Sequence, residues 1–251
     1  MPFTLSHAIA AWPLWKLSNK RLDLPALAIG TTLPDISYFI ALHPVSNIGH
    51  SLPGLFIEGI PSGLVLLLIS RYLLWRPMLA LLPRTIAARL PHQSTYHFFP
   101  IQRFFIILLS LVAGDLSHIV WDSFTHYNGW SVSKLPWLSI PVFALPIYKW
   151  LQYGGGVVGL LLVTIVISKM INQRSHRPHQ PTLPDRWKGM AWGLVVGIIV
   201  LMSWVAIAQG APPQPLSSLI IRAVVGIVSG CFLGLCAYAS GFWLYQVRAV
   251  R

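Results

Sequence analysis

Apolar runs approaching or reaching bilayer length recur along the chain, separated by short polar or proline-bearing stretches. A hydrocarbon core of ~30 Å calls for ~20 helical residues. The clearest runs cover residues 55–75, 104–121, 157–171, 190–209 and 219–245. A weaker run at 22–42 is interrupted by Gly30 and Pro34, and the opening stretch 1–17 is apolar but short, in the manner of a half-helix or interfacial segment. The pattern predicts an all-α, polytopic transmembrane helix bundle with about five to seven membrane segments.

Composition agrees with that reading. Hydrophobic residues make up 55% of the 251 and charged residues only 10%, with a mean hydropathy of +0.65. Soluble domains carry about 25% charged residues. The first 17 residues do not read as a signal peptide, because Lys16, Lys20 and Arg21 follow the apolar stretch instead of preceding it. They are expected in the mature protein. Cys231 and Cys236 lie five apart in one apolar run and point to different helix faces, so they read as core residues and not as a disulfide or redox pair.

The net charge of +12 is grouped: Lys16–Lys20–Arg21, then Arg76–Arg84–Arg89–Arg103, then Lys169–Arg174–Arg177–Arg186–Lys188, then Arg248–Arg251. Such grouping marks cytoplasmic loops and the anionic lipid surface, with membrane lipids and not nucleic acid as the partner. The loops at 76–103 and 172–189 and the C-terminal tail are therefore expected in the cytoplasm of a cell inner (plasma) membrane protein, and the uncharged GAPPQPLSS connection outside. The alternation delivers His43, His50 and the end of the 104–126 segment to the outer side, where His7 joins them if residues 1–17 dip into that leaflet. His92, His97, His176 and His179 fall in cytoplasmic loops. Two units are expected: residues 1–150, with the outer-side histidines and every buried-looking acid, and residues 151–251, a three-segment unit opened by Gly154–Gly155–Gly156, with a basic linker near 172–189.

One stretch carries the candidate chemistry. Residues 114–126 read GDLSHIVWDSFTH, which holds two of the chain's six acidic residues and two of its nine histidines. At ~100° per residue, Asp115, His118, Asp122 and His126 fall on one helical stripe about 80° wide. Leu116, Ile119, Val120, Trp121 and Phe124 fill the other faces. Ionisable groups inside a membrane are costly unless paired, and mark functional sites by default. A His and an Asp four apart on one face suit a divalent metal, with imidazole favouring zinc. Hydrogen-bonding glue between helices explains a single such pair equally well.

The same segment resembles the His-x-x-x-Asp block of the predicted membrane-bound metal-dependent hydrolases, the inner-membrane group related to the LexA-regulated type. The start MPFTLSHAIAAW resembles that group's early histidine segment, and is closer to an uncharacterised bacterial multi-pass family opening with MPFT-x-SH. GTTLPDISYF is similar to its Pro-Asp element at Gly30, Pro34 and Asp35, and GHSLPG to its His-Ser element at His50 and Ser51. The resemblance covers residues 1–130. It implies His7, Asp35, His50, His118 and Asp122 as metal ligands, a zinc-like cofactor and, through a more distant likeness to zinc-dependent phospholipase C, a phosphoester or lipid substrate. The group's His-Arg-Gly stretch is missing: HPVSNIGHS stands there, with His43. His126 stands where the group is often small or polar, and it is kept as a further ligand candidate.

Under that reading Asp115 or Glu58 serves as general base, with Asp115 favoured for its place on the stripe. Trp130, Trp137 and Trp150 read as interface anchors. Two other functions fit the same residues: a proton- or ion-coupled transporter, since membrane Asp/His sets also form relays, and a structural membrane protein whose polar stripe packs helices.

Overall fold

The computed structural model describes residues 4–43, 45, 48–91, 97–175, 183–210 and 213–249, with side chains to residue 246. His92, His176, His179, Arg177 and Arg251, named above, lie outside the described residues. A 3-10 helix, Thr4–Ala10, runs into α1 (Ala11–Leu17). Then come α2 (Leu24–Gly30), a 3-10 turn at Leu33–Asp35 and α3 (Ile36–Ala41). The next span, Leu52–Leu81, is built from α4 (Leu52–Gly54), α5 (Ile60–Leu68) and α6 (Trp75–Leu81), joined by π-helical turns at Leu55–Gly59 and Ile69–Leu74. A single turn, α7 (Arg84–Ala87), precedes the long α8 (Ile101–Thr125). After α8 the chain forms α9 (Trp130–Lys134), a 3-10 turn at Pro136–Ser139 and a two-rung hairpin of β1 (Pro141–Val142) with β2 (Leu145–Pro146). The long helices α10 (Ile147–Asn172), α11 (Asp185–Ala208) and α12 (Leu216–Ala249) complete the chain.

Among the described residues, six helical stretches are long and apolar enough to cross a membrane: Leu24–Ala41, Leu52–Leu81, Ile101–Thr125, Ile147–Asn172, Asp185–Ala208 and Leu216–Gln246. Burial does not follow hydrophobicity, as it would in water. Asp35, Asp115 and His118 are fully buried, while Leu161 and Trp204 are 59% and 66% exposed. Only an apolar solvent makes that distribution favourable, so the protein is membrane-embedded.

Three packing features position the site. Asp23 caps α2 by accepting from the Ala26 N–H at 2.8 Å, and its own N–H donates to Ser110 Oγ of α8 at 2.8 Å. Further along the same pair of helices, Gly30 and Gly114 face each other so closely that a Cβ on Gly114 would lie 2.9 Å from Gly30 Cα. Side chains are absent there so that the two backbones can touch. Beside these contacts Ala26, Leu33, Leu67, Ile107 and Leu111 form a buried apolar cluster that ties in α5.

The 3-10 helix packs on α10, where a Cβ on Gly159 would meet Ser6 Cβ at 2.9 Å. Gly154, Gly155 and Gly156 lie inside α10, which starts at Ile147. Glycine lowers helix propensity in water, but in a bilayer every backbone group must bond within its own helix, and the glycines stay helical. Helices α11 and α12 form an antiparallel hairpin with the same small-residue logic. A Cβ on Gly230 would lie 2.6 Å from Ile199 Cα, and one on Gly234 3.0 Å from Val195 Cα, so four residues down one helix match four up the other. The hairpin rests on α3 and α6.

Candidate metal centre

Five side chains from four parts of the chain converge at the C-terminal end of α8. His118 and Asp122 come from that helix, one turn apart and on one face. His7 comes from the 3-10 helix, Asp35 from the turn that opens α3, and His50 from the turn before α4. The ligating atoms of His7, His118 and Asp122 lie within 4.8 Å of one another, and so do those of Asp35, His50 and His118. His118 belongs to both triads, so the two sets form one site.

The separations carry chemical information. His118 Nε2 is 3.3 Å from Asp122 Oδ2, and His50 Nε2 is 3.4 Å from both Asp122 Oδ2 and Asp35 Oδ1. His7 Nε2 is 3.7 Å from Asp122 Oδ1, and His118 Nε2 is 3.8 Å from Asp35 Oδ2. Hydrogen bonds between such groups run at ~2.7–3.2 Å. Two ligands each ~2.1 Å from a tetrahedral cation are ~3.4 Å apart.

The His118 tautomer sharpens this. Its Nδ1 lies 2.7 Å from the Thr31 carbonyl oxygen, which can only accept, so Nδ1 carries the proton. With Nδ1 so engaged, Nε2 is the atom that faces the two carboxylates, and it has no hydrogen-bond partner among the described residues. Lone pair against carboxylate is repulsive unless a cation or a proton lies between them. A ring nitrogen donating to a backbone carbonyl while its partner faces acids is the arrangement of metal-ligating histidines. The His7 ring stacks on His118 at 3.9 Å and 12°, a contact that two charged rings would disfavour. Burial, and then the neighbouring His118, pushes His7 down to about 4. Burial works against a charged His50 ring as well, but the facing carboxylates of Asp122 and Asp35 outweigh it and push the ring up to about 9. The donor set, three imidazoles and two carboxylates, fits a divalent metal of the zinc type.

Asp35 stands at the N-cap position of α3, yet its side chain makes no capping bond there. It accepts instead from the Thr4 hydroxyl at 2.5 Å and faces His50. Ser51 of the His-Ser element does cap: its hydroxyl oxygen accepts from the Gly54 N–H at 3.2 Å and so starts α4 directly after His50.

Other candidates are placed differently. His126 was expected on the helical stripe, but α8 ends at Thr125, and His126 leaves it with extended backbone at φ −118° and ψ 143°. Its Nδ1 is 3.6 Å from Asp122 Oδ2 and 3.1 Å from the Asp122 carbonyl, while its Nε2 accepts from Gln152 Nε2 at 3.0 Å. Lys149 Nζ donates to Gln152 Oε1 at 2.7 Å, which turns the amide N–H toward His126. Burial lowers the His126 ring, in keeping with a neutral imidazole. His126 thus adjoins the site but stands outside both triads.

Asp115 lies one turn before His118, fully buried, with a carboxylate oxygen 2.7 Å from where a Gly59 Cβ would stand. Neither Asp115 oxygen nor Glu58 Oε2 has a hydrogen-bond partner among the described residues. Among those residues, His43 and His97 join neither group of converging ligand atoms. Thr4, Thr31 and Gln152 are the supporting residues that motif reading misses. Thr4 had a signal, since it stands one 3-10 turn before His7 and shares its face. Thr31 acts through its carbonyl, which no side-chain pattern reports.

A family model described as a domain of unknown function, DUF4184, matches residues 1–240. The chain belongs to that family. The DUF4184 match spans all five converging residues and the helices that carry them. No curated protein and no solved structure gave a significant match.

Proposed function

We propose that this DUF4184 protein is a membrane-embedded, metal-dependent hydrolase acting on a phosphoester or lipid at the outer leaflet of the inner membrane, with its C-terminus in the cytoplasm. The observation that carries the reading is the His118 Nε2 aimed at Asp122 and Asp35 from a ring held by Thr31, with His7 and His50 completing the donor set.

A zinc-like cation held by His7, Asp35, His50, His118 and Asp122 would supply water activation near neutral pH and polarisation of the scissile oxygen. The chain's own residues do the rest. Thr31 sets the His118 tautomer, and Thr4 orients Asp35. His50, whose side chain is 29% exposed against 5% for His7 and none for His118, marks the side from which substrate approaches. Asp115 is the carboxylate assigned to proton acceptance, since both its oxygens are buried without a hydrogen bond among the described residues. Glu58, in the π-helical turn beside Gly59, is the second candidate for that role.

The test is metal content by mass spectrometry of the detergent-purified protein, beside His118→Ala and Asp122→Asn, with hydrolysis of phosphomonoester, phosphodiester and phospholipid substrates measured on the same preparations. About one or two zinc-like ions per chain, lost in both variants together with hydrolysis, is the expected result. A wild-type protein that takes up no metal after incubation with zinc, while both variants stay folded, would overturn the reading. A proton on His50 between the two carboxylates would then be the site's resident charge.

A further inference from the structure

At the opposite end of α8 the protein has a second built feature, a cavity of about 480 Å³ lined by Arg71, Arg103, Arg174 and Asp23, with Trp75 and Leu67 among its apolar walls. The nineteen residues from Arg103 to Asp122 rise ~28 Å along a helix, close to the thickness of a hydrocarbon core. The cavity therefore opens at the other membrane face from the histidine–aspartate cluster, the face that the basic loops assign to the cytoplasm.

Its charge is lopsided. Among the described residues three guanidiniums meet one carboxylate, and Asp23 is already engaged: it pairs with Arg103 at 2.5 Å and caps α2. Arg103 is thereby held in place as part of the wall. Arg71 is the telling residue, because it lies ten positions before the end of the Leu52–Leu81 span and yet lines the same space as Arg103 and Arg174, which stand at or beyond the ends of their helices. It sits on the π-helical turn Ile69–Leu74, one of the inserted-residue turns that re-aim side chains at functional sites. Its neighbour Tyr72 is exposed at 63% while Arg71 lines the cavity. Arg174 arrives from just beyond the end of α10, so three separate parts of the chain each bring one guanidinium to the same space.

We propose that this cavity binds a phosphate-bearing anion, presented either as the headgroup of an anionic lipid or as free phosphate. Guanidiniums match phosphate oxygens in pairs, and the adjoining tryptophan and leucine walls suit the glycerol and upper acyl part of a lipid. This site is independent of the metal reading and stands or falls separately.

The experiment is native mass spectrometry of the delipidated, full-length protein titrated with phosphatidylglycerol, in the presence and absence of inorganic phosphate. Arg71→Gln/Arg174→Gln is compared with Arg84→Gln/Arg186→Gln, a double variant that removes the same charge from exposed positions outside the cavity. One lipid per chain is expected, weakened about fivefold for each cavity arginine removed and unchanged in the control. Persistence of that binding in excess inorganic phosphate assigns the site to a lipid headgroup, and displacement by inorganic phosphate assigns it to the free anion. Arg174→Gln alone, at an exposed position beyond its helix, gives the same reading at about fivefold should the double variant not fold. Equal weakening in both double variants, or no weakening in the cavity variant, would overturn the proposal.

Discussion

The two ends of α8 solve opposite electrostatic problems with the same helix. At its C-terminal end, Asp122 and His118 meet Asp35, His7 and His50 in a space where two carboxylates face three imidazoles, a donor set that suits a cation. At its N-terminal end, Arg103 pairs with Asp23, and Arg71 and Arg174 line the same cavity, which is proposed to take an anion. Both sites are built across the contact of α2 with α8. Asp23 opens α2 at one end, and Thr31 follows it at the other. The difference lies in closure. The cation end is nearly sealed, with only His50 partly open, whereas Arg103 at the anion end is 39% exposed. Sealing suits a site whose charges must be felt at low dielectric, and openness suits one that trades with a membrane surface.

The largest effect should come from removing the shared ligand. His118→Ala is expected to lower metal affinity by more than the ~10–100-fold typical of losing an outer partner, and to abolish hydrolysis. Stripping the metal from the wild type with a chelator should do the same. Phosphatidylglycerol binding should stay within about twofold in both cases, because the two sites lie a membrane's thickness apart. Metal content and lipid titration on one sample check this. A parallel loss of lipid binding would mean that the two ends of α8 are not separable.

Next in size is the contact that both ends share. In Gly114→Val the first added carbon would lie 2.9 Å from Gly30 Cα, so the helices must part. Overpacking of this kind costs about 1–3 kcal/mol. A lower melting temperature in detergent is expected, with weakened metal binding, since Thr31 follows Gly30 directly and holds His118. An unshifted melting temperature would show that the backbones do not need to touch.

Thr4→Val should act more gently. It removes the hydroxyl that donates to Asp35 Oδ2 and keeps the shape, so metal affinity should fall about tenfold with the melting temperature little changed. Isothermal titration with zinc reads the effect directly.

How much of this was legible in the residues differs between the two ends. The cation end was largely readable, because its parts are chemically rare in a greasy chain: two acids and two histidines in GDLSHIVWDSFTH, Pro34–Asp35 and His50–Ser51 each stand out against apolar neighbours. Helical spacing brought His118 and Asp122 together correctly. It failed for His126, since the end of α8 at Thr125 depends on the turn that follows and not on the spacing. Thr31 was invisible for a different reason, as a backbone carbonyl carries no residue signature. The anion end was not readable at all. Arg71, Arg103 and Arg174 look like ordinary basic residues of the cytoplasmic side, and only tertiary packing puts them around one space. The six spans were visible as apolar runs, but the two π-helical turns, one of which carries Arg71, have no periodicity in the sequence to announce them.

The smallest effect settles the one ligand candidate that the geometry leaves beside the site. His126 turns its Nε2 to Gln152, and its Nδ1 lies nearer the Asp122 carbonyl than the Asp122 carboxylate. In that pose it buttresses the end of α8 and stands apart from the five converging side chains proposed to hold the metal. Gln152→Leu deletes the amide that holds the ring, and a hydrogen bond of this kind is worth ~0.5–1.5 kcal/mol. If His126 is a buttress, zinc affinity should change by no more than about threefold, because none of the five ligand side chains has lost its own support. If affinity instead moves by more than about tenfold in either direction, the ring is a ligand whose reach Gln152 controls. The cation end would then have six donors, and the contrast with the open arginine cavity would be sharper still.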